Sequence, residues 1–217
     1  MKYLFFDIEC ANCFNGSSKI CEFGYVIADD GFNVIEKKEI LVNPCSSFDS
    51  YAIKNILHFK KSDYRSAPDF RSYYEEIRSL LLSEGVLVFG HAVANDARFL
   101  KDECKRYKLD YIDFTFVDVG IIYKKLFELK EIASLKKMCE ELGISDTENL
   151  HNALFDAERT MLVIKAICEK TNRSVADLIK KCPEAKGRFD LTEKPVNKKR
   201  KKKKRVKNEK TTEKSAV

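Results

Sequence analysis

Glutamine is missing from this chain altogether. That excludes a glutamine-led peptide of the kind that seats on sliding clamps. No apolar run is long enough to span a bilayer, and no cleavable leader is visible, so the sequence predicts a cytoplasmic protein with no membrane partner. A second C-x-x-C is missing as well. Cys10-Ala11-Asn12-Cys13 has the spacing of a zinc or redox pair, but Cys10 belongs to an apolar strand, so neither chemistry is expected there. Most of the eight cysteines sit in apolar-periodic segments, as the buried thiols of a reduced protein do.

Positive charge is scarce in the body of the chain and crowded at one end. Residues 194–217 hold 12 Lys/Arg and two Glu, whereas residues 1–193 hold 28 basic and 32 acidic side chains. The overall charge of +6 thus hides a mildly acidic body and a strongly basic tail. From Lys194 hydrophobic periodicity is absent, and Lys198 to Arg205 is an unbroken run of eight basic residues. The expected organisation is one domain over 1–182 and a basic, disordered tail over 183–217. The run reads either as a solvated stretch or as an arm that tracks phosphates; in a eukaryote it would also read as a nuclear import signal.

What the chain has in place of these is a first strand, Lys2 to Cys10, with an apolar run from Tyr3 to Phe6 that predicts burial on both faces. Alternation along a strand points Asp7 and Glu9 the same way, with Phe6, Ile8 and Cys10 opposite. At ~4 Å and an effective dielectric of ~20, two such carboxylates repel by about 4 kcal/mol. The pair either frays at a strand end or is compensated by a proton, a basic side chain or a metal ion.

Strands at Ile20–Ala28 and Phe32–Val42, joined by Asp29-Asp30-Gly31, predict a hairpin. Cys45 to Ala67 is irregular, with short helical turns near Tyr51–His58, and His58 reads as a surface or packing residue. A helix opens at Pro68, and Val86–Phe89 is a short buried strand. A second helix runs from Ala94 to Tyr107 with Asp96 in its first turn, where a carboxylate also suits the helix dipole. Tyr111–Val119 predicts a strand, followed by helices at Ile121–Phe127 and Glu131–Leu142, the latter closed by Gly143. Asn152 caps a helix to Lys170 that contains Asp156, which leaves His151 on the preceding loop; a short helix follows at Ser174–Lys181.

Asp7, Glu9, Asp96 and Asp156 thus stand at ends of buried elements. Hard oxygen ligands suit Mg²⁺ or Mn²⁺, and two such ions about 3.5–4 Å apart clamp the attacking and leaving oxygens of a phosphodiester. His151 could take the proton of the attacking water.

The order and spacing of these residues resemble the DEDDh branch of the DEDD 3′→5′ exonucleases. Phe6-Asp7-Ile8-Glu9 resembles the first motif, Gly90 to Leu100 the second, and His151-Asn152-Ala153-Leu154-Phe155-Asp156-Ala157 the third. Leu41-Val42-Asn43-Pro44 and Val117-Asp118-Val119 resemble further landmarks. The resemblance spans about residues 1–170 and implies an α/β, ribonuclease-H-like fold with a five-stranded mixed sheet of order 3-2-1-4-5 between helices. It implies that Asp7, Glu9, Asp96 and Asp156 hold two Mg²⁺ or Mn²⁺ ions and that His151 is general base. It also implies that Cys10, Ala11, His91 and Asn95 lie at the substrate, a single-stranded DNA or RNA with a free 3′ end. Three residues depart from the pattern: Cys10 replaces a frequent Thr or Ser, Ala92 a frequent Asn, and Asn95 a frequent Phe. Asp118 reads as a supporting residue, and His91 as a turn-packing residue before a substrate contact. Within that resemblance, the lack of glutamine favours a free-standing DNA-repair or RNA-trimming exonuclease over a clamp-bound proofreader. The alternatives are a non-catalytic nucleic-acid binder working through the tail and a ribonuclease-H-like endonuclease.

Overall fold

Strand β1 (Lys2–Asn12) is the centre about which the computed structural model is arranged; residues 1–56, 58–145 and 151–188 are described. It pairs antiparallel with β2 (Lys19–Asp29), which pairs antiparallel with β3 (Val34–Leu41). On its other side it runs parallel to β4 (Val86–Gly90), itself parallel to β5 (Thr115–Asp118). The order 3-2-1-4-5 is the expected one, with one addition. A short β6 (Lys186–Arg188) pairs antiparallel with β5 and makes the sheet six-stranded, not five-stranded. Lys-Gly-Arg has no apolar alternation, so nothing local announces it. Gly187 is set by tertiary contact: a Cβ there would come within 2.3 Å of the Phe116 ring. The strand lies beyond the 182 boundary read from sequence, and the basic run Lys198–Arg205 lies outside the described residues.

Eight helices flank the sheet among the described residues: α1 (Ser50–Asn55), α2 (Lys61–Ser66), α3 (Phe70–Leu81), α4 (Ala94–Tyr107), α5 (Val119–Leu126), α6 (Leu135–Glu141), α7 (Ala153–Thr171) and α8 (Val175–Lys181). Several boundaries move from expectation: α3 starts at Phe70 rather than Pro68, with Asp69 as its cap, and β3 at Val34 rather than Phe32. α6 starts at Leu135, because the Ser134 hydroxyl accepts from the Lys137 N–H at 3.3 Å and fixes the cap there. α5 starts earlier, at Val119, because the Asp118 carboxylate accepts from the Gly120 and Ile121 N–H groups. β5 loses Tyr111–Phe114, because β4 offers it only Phe89 and Gly90 as partners; Ile112 and Phe114 bury in the core unpaired.

Alternation along β1 sends Tyr3 and Phe5 into a core with α5 to α8, and Leu4, Phe6 and Ile8 into a core with α3 and α4. Phe5 and Phe6 are fully buried, each contributing about 2–3 kcal/mol of transfer free energy. Asp7 and Glu9 continue the first face, towards α7. Pairing of β1 with β4 stops at Phe5–Phe89, so both carboxylates run past the carboxyl end of β4 into the crevice where the chain turns into α4. Such crevices are where α/β sheets bind ligands. No helix among the described residues is long and apolar enough to cross a membrane.

Candidate active site

Four segments converge on that crevice. β1 supplies Asp7 and Glu9, the first turn of α4 supplies Asp96, the loop before α7 supplies His151, and α7 itself supplies Asp156. They line a cavity of about 510 Å³ together with His91, Ala92, Asn95, Phe99 and Lys136. A larger hollow of about 610 Å³ beside α5, lined by Lys124, Lys125 and Glu128, collects no comparable set of acids.

The electrostatics of the cluster are those of crowded, desolvated acids. Burial, then Asp96, Glu9 and Asp156, push the Asp7 carboxyl well above the usual range. Asp96, 4% exposed, is pushed well up by burial and then by Glu9 and Asp118. Burial raises Glu9 as well, opposed by the neighbouring His151 imidazole. Burial raises Asp156, opposed by Arg159, whose Nη1 donates to Asp156 Oδ1 at 3.1 Å. The His151 imidazole is raised by Glu9, its Nδ1 lying 3.8 Å from Glu9 Oε1. Its backbone, in the left-handed region at φ 72°, donates N–H to Asp156 Oδ2 at 3.3 Å. Ligand atoms of Glu9, His151 and Asp156 lie within 4.8 Å of one another. A set of hard oxygen donors whose own charges oppose one another fits a divalent cation, which supplies the missing positive charge.

The remaining expectations divide. His91 and Asn95 line the cavity, and His91 Nε2 donates to the Ala133 carbonyl at 2.9 Å, the turn-packing bond expected of it. Cys10 and Ala11 do not line it. The pleat sends Cys10 into the α3/α4 core, and the register shifts on either side of Cys10 turn Ala11 into a separate cluster with Ala52, Ile56 and Tyr64. Asp118 supports the fold: Oδ2 accepts from the Val93 N–H at 3.1 Å and Oδ1 from Gly120 at 2.9 Å, which fixes the turn into α4.

Residues outside the motifs also meet here. The exposed His58 lies near enough to lower the pKa of Glu9 and of Glu39 by its charge. The Tyr51 ring stands edge-on to that of His151, with centroids 6.2 Å apart. Arg159 carried a readable signal, an i,i+3 pairing with Asp156 on one helix face. His58, Tyr51 and Lys136 carried none, since α1, α6 and the segment after α1 are brought here by contacts distant in sequence.

A stability prediction follows from the raised carboxyls. An acid whose folded pKa exceeds its unfolded one binds more protons when folded, so stability is fully present below about pH 4 and is lost as pH climbs through the folded value. In chelator, acid unfolding aside, this cluster's contribution should fall as pH rises through the raised values of these carboxyls. Mg²⁺ or Mn²⁺ at about 100 times Kd should restore roughly 2.7 kcal/mol. Thermal melts with EDTA and with each ion check this. Identical curves would show that no ion binds.

The comparisons with known proteins can be set beside this geometry. Residues 4–164 match the model of the RNase_T family, described as exonuclease. A curated relative, the PolC-type DNA polymerase III of Ureaplasma parvum serovar 3, is 22% identical over 156 residues, 71% of this chain. The chain spans only 11% of that relative's length. Among solved structures, the nuclease domain of 3′hExo, described as a DEDDh family member bound to rAMP, superposes with a TM-score of 0.66 at 15% identity, covering 78% of this chain and 91% of that one. E. coli exonuclease I with a dA16 oligonucleotide gives 0.67 at 17% identity, covering 83% and 42%. At such identities the likeness is one of fold.

Proposed function

Because this chain belongs to the RNase_T exonuclease family, we propose that it is a metal-dependent 3′→5′ exonuclease releasing nucleoside 5′-monophosphates from a nucleic-acid strand. The observation that carries the reading is the convergence of Asp7, Glu9, Asp96, Asp156 and His151 on one cavity.

The four carboxylates would hold two divalent ions, Mg²⁺ or Mn²⁺, whose chemistry when bound is to neutralise the phosphate and acidify a water. Glu9 sits beside His151 Nδ1, which holds the ring with that nitrogen protonated and leaves Nε2 free to accept a proton from the attacking water. Arg159 steadies Asp156 against its acidic neighbours. Phe99 offers the cavity an aromatic face, and Lys136 is the one lysine or arginine in the lining among the described residues. A single-stranded substrate is supported by the single-stranded DNA held by a fold neighbour, E. coli exonuclease I.

The test is a 5′-labelled oligonucleotide incubated with Mn²⁺. A ladder shortening from the 3′ end, with mononucleotide product and no reaction in EDTA, is expected; internal cuts would overturn the assignment. Matched single-stranded DNA, duplex DNA and RNA then identify the substrate.

In this reading the basic run Lys198–Arg205 serves the mildly acidic body as a phosphate-tracking arm. Removal of residues 194–217 should raise KM for long strands by roughly 5–10-fold at low salt, flatten its salt dependence and leave kcat unchanged. Unmoved KM and salt slope would leave the arm without a role in binding.

A further inference from the structure

Behind the cavity lies a polar network that the catalytic set does not use. Glu22 on β2 stands opposite Glu9 in the β1–β2 register and is fully buried. A buried carboxyl is retained only where its oxygens are satisfied. Here Tyr64 Oη, from α2, donates to Glu22 Oε1, and the Ala153 N–H, from the first turn of α7, points to Oε2 at 3.4 Å. Glu39 on β3, opposite Gly24 in the β2–β3 register, accepts at Oε1 from Asn152 Nδ2.

Asn152 is therefore held at both ends of its amide, since its Oδ1 accepts from the Phe155 N–H at 3.0 Å as the α7 cap. It immediately follows His151, whose left-handed backbone leaves the ring's direction dependent on how the next residue is anchored. Packing presses the same turn onto the sheet: a Cβ at Gly24 would fall 2.1 Å from the Ala153 carbonyl carbon, so only glycine lets α7 sit this close. Three elements thus converge on the two residues after His151.

We propose that Glu22, Glu39 and Tyr64 are positioning residues that, through Asn152 and Ala153, set the distance of His151 from Glu9 and Asp156. Its consequence for turnover rests on the exonuclease reading; its geometric content does not. Glu39→Ala frees the Asn152 amide, whereas Glu39→Gln keeps an oxygen to accept from it.

The experiment compares both variants of the full chain in two readouts. In the first, Glu39→Ala should lower kcat by roughly 10–100-fold, the range typical of groups that orient ligands from behind, with KM within about twofold. Glu39→Gln should stay near the parent. The second readout needs no nuclease activity. Mn²⁺ broadens the His151 ring signal by an amount that falls steeply with distance, and that signal is assigned by its loss in His151→Asn. Broadening should weaken in Glu39→Ala and persist in Glu39→Gln. If Glu39→Ala does not fold, Tyr64→Phe removes the hydroxyl that reaches Glu22 and serves in its place. Parent kcat and parent broadening in the folded Glu39→Ala or Tyr64→Phe protein would overturn the proposal, as would equal impairment of Glu39→Ala and Glu39→Gln. A parent protein that cuts no strand, yet shows the broadening pattern, would overturn the exonuclease reading and uphold the positioning.

Discussion

Asp7→Asn is expected to lower turnover on a 3′-ended oligonucleotide by roughly 10³-fold, the scale lost when a preorganised charge-stabilising group is removed from a water-excluded site. The same substitution should make the ion-free protein more stable. Asp7 feels Asp96, Glu9 and Asp156 at once, and burial adds to their effect. Asparagine keeps the shape and removes the charge. Each kcal/mol of relieved repulsion should raise the unfolding temperature by about 2–4 °C for a domain of this size. Divalent ions, which stabilise the parent, should stabilise the variant less. Kinetics and thermal melts in EDTA and in Mn²⁺ measure both halves. Activity within tenfold of the parent would remove Asp7 from the catalytic set, and a lower melting point in EDTA would show that the carboxylate is compensated within the fold.

His151→Asn should lower kcat by about 10²–10⁴-fold, the contribution usual for a general base, with KM little changed. Asparagine is the informative replacement, because residue 151 holds φ at 72°, a region that asparagine tolerates and alanine resists. The bond from the backbone N–H of residue 151 to Asp156 survives the change. The imidazole is half exposed, so little packing is lost and the melting temperature should barely move. Added free imidazole should return part of the rate, since the cavity vacated beside Glu9 can admit it. An undiminished rate would mean that another group takes the proton. His58, whose charge reaches Glu9, is then the residue to replace next.

Much of the site was legible because its chemistry is local. Asp7 and Glu9 share a face by the two-residue pleat, Asp156 falls in the first turn of a helix whose Asn152 cap is readable, and Asp96 falls in a first turn where a carboxylate suits the helix dipole. Order and spacing of the three motifs carried the fold's strand order with them. Legibility failed where position depends on contacts distant in sequence. Ala11 shares the strand parity of Asp7 and Glu9, yet the register shifts around Cys10 turned it into a separate core with Ala52, Ile56 and Tyr64. β6 has no pattern of its own and exists because the outer edge of β5 was open to it.

By itself, then, the sequence determined which acids belong to the site, which histidine accompanies them and which strand carries the first pair, because alternation, helical period and capping are properties of neighbouring residues. Tertiary structure alone decided how far His151 stands from Glu9, that Tyr51 stands beside it, and that Glu22, Glu39 and Tyr64 form a support beneath Asn152. Those distances are set by β2, β3 and α2 closing on one helix end, and no local pattern encodes where three separate elements meet.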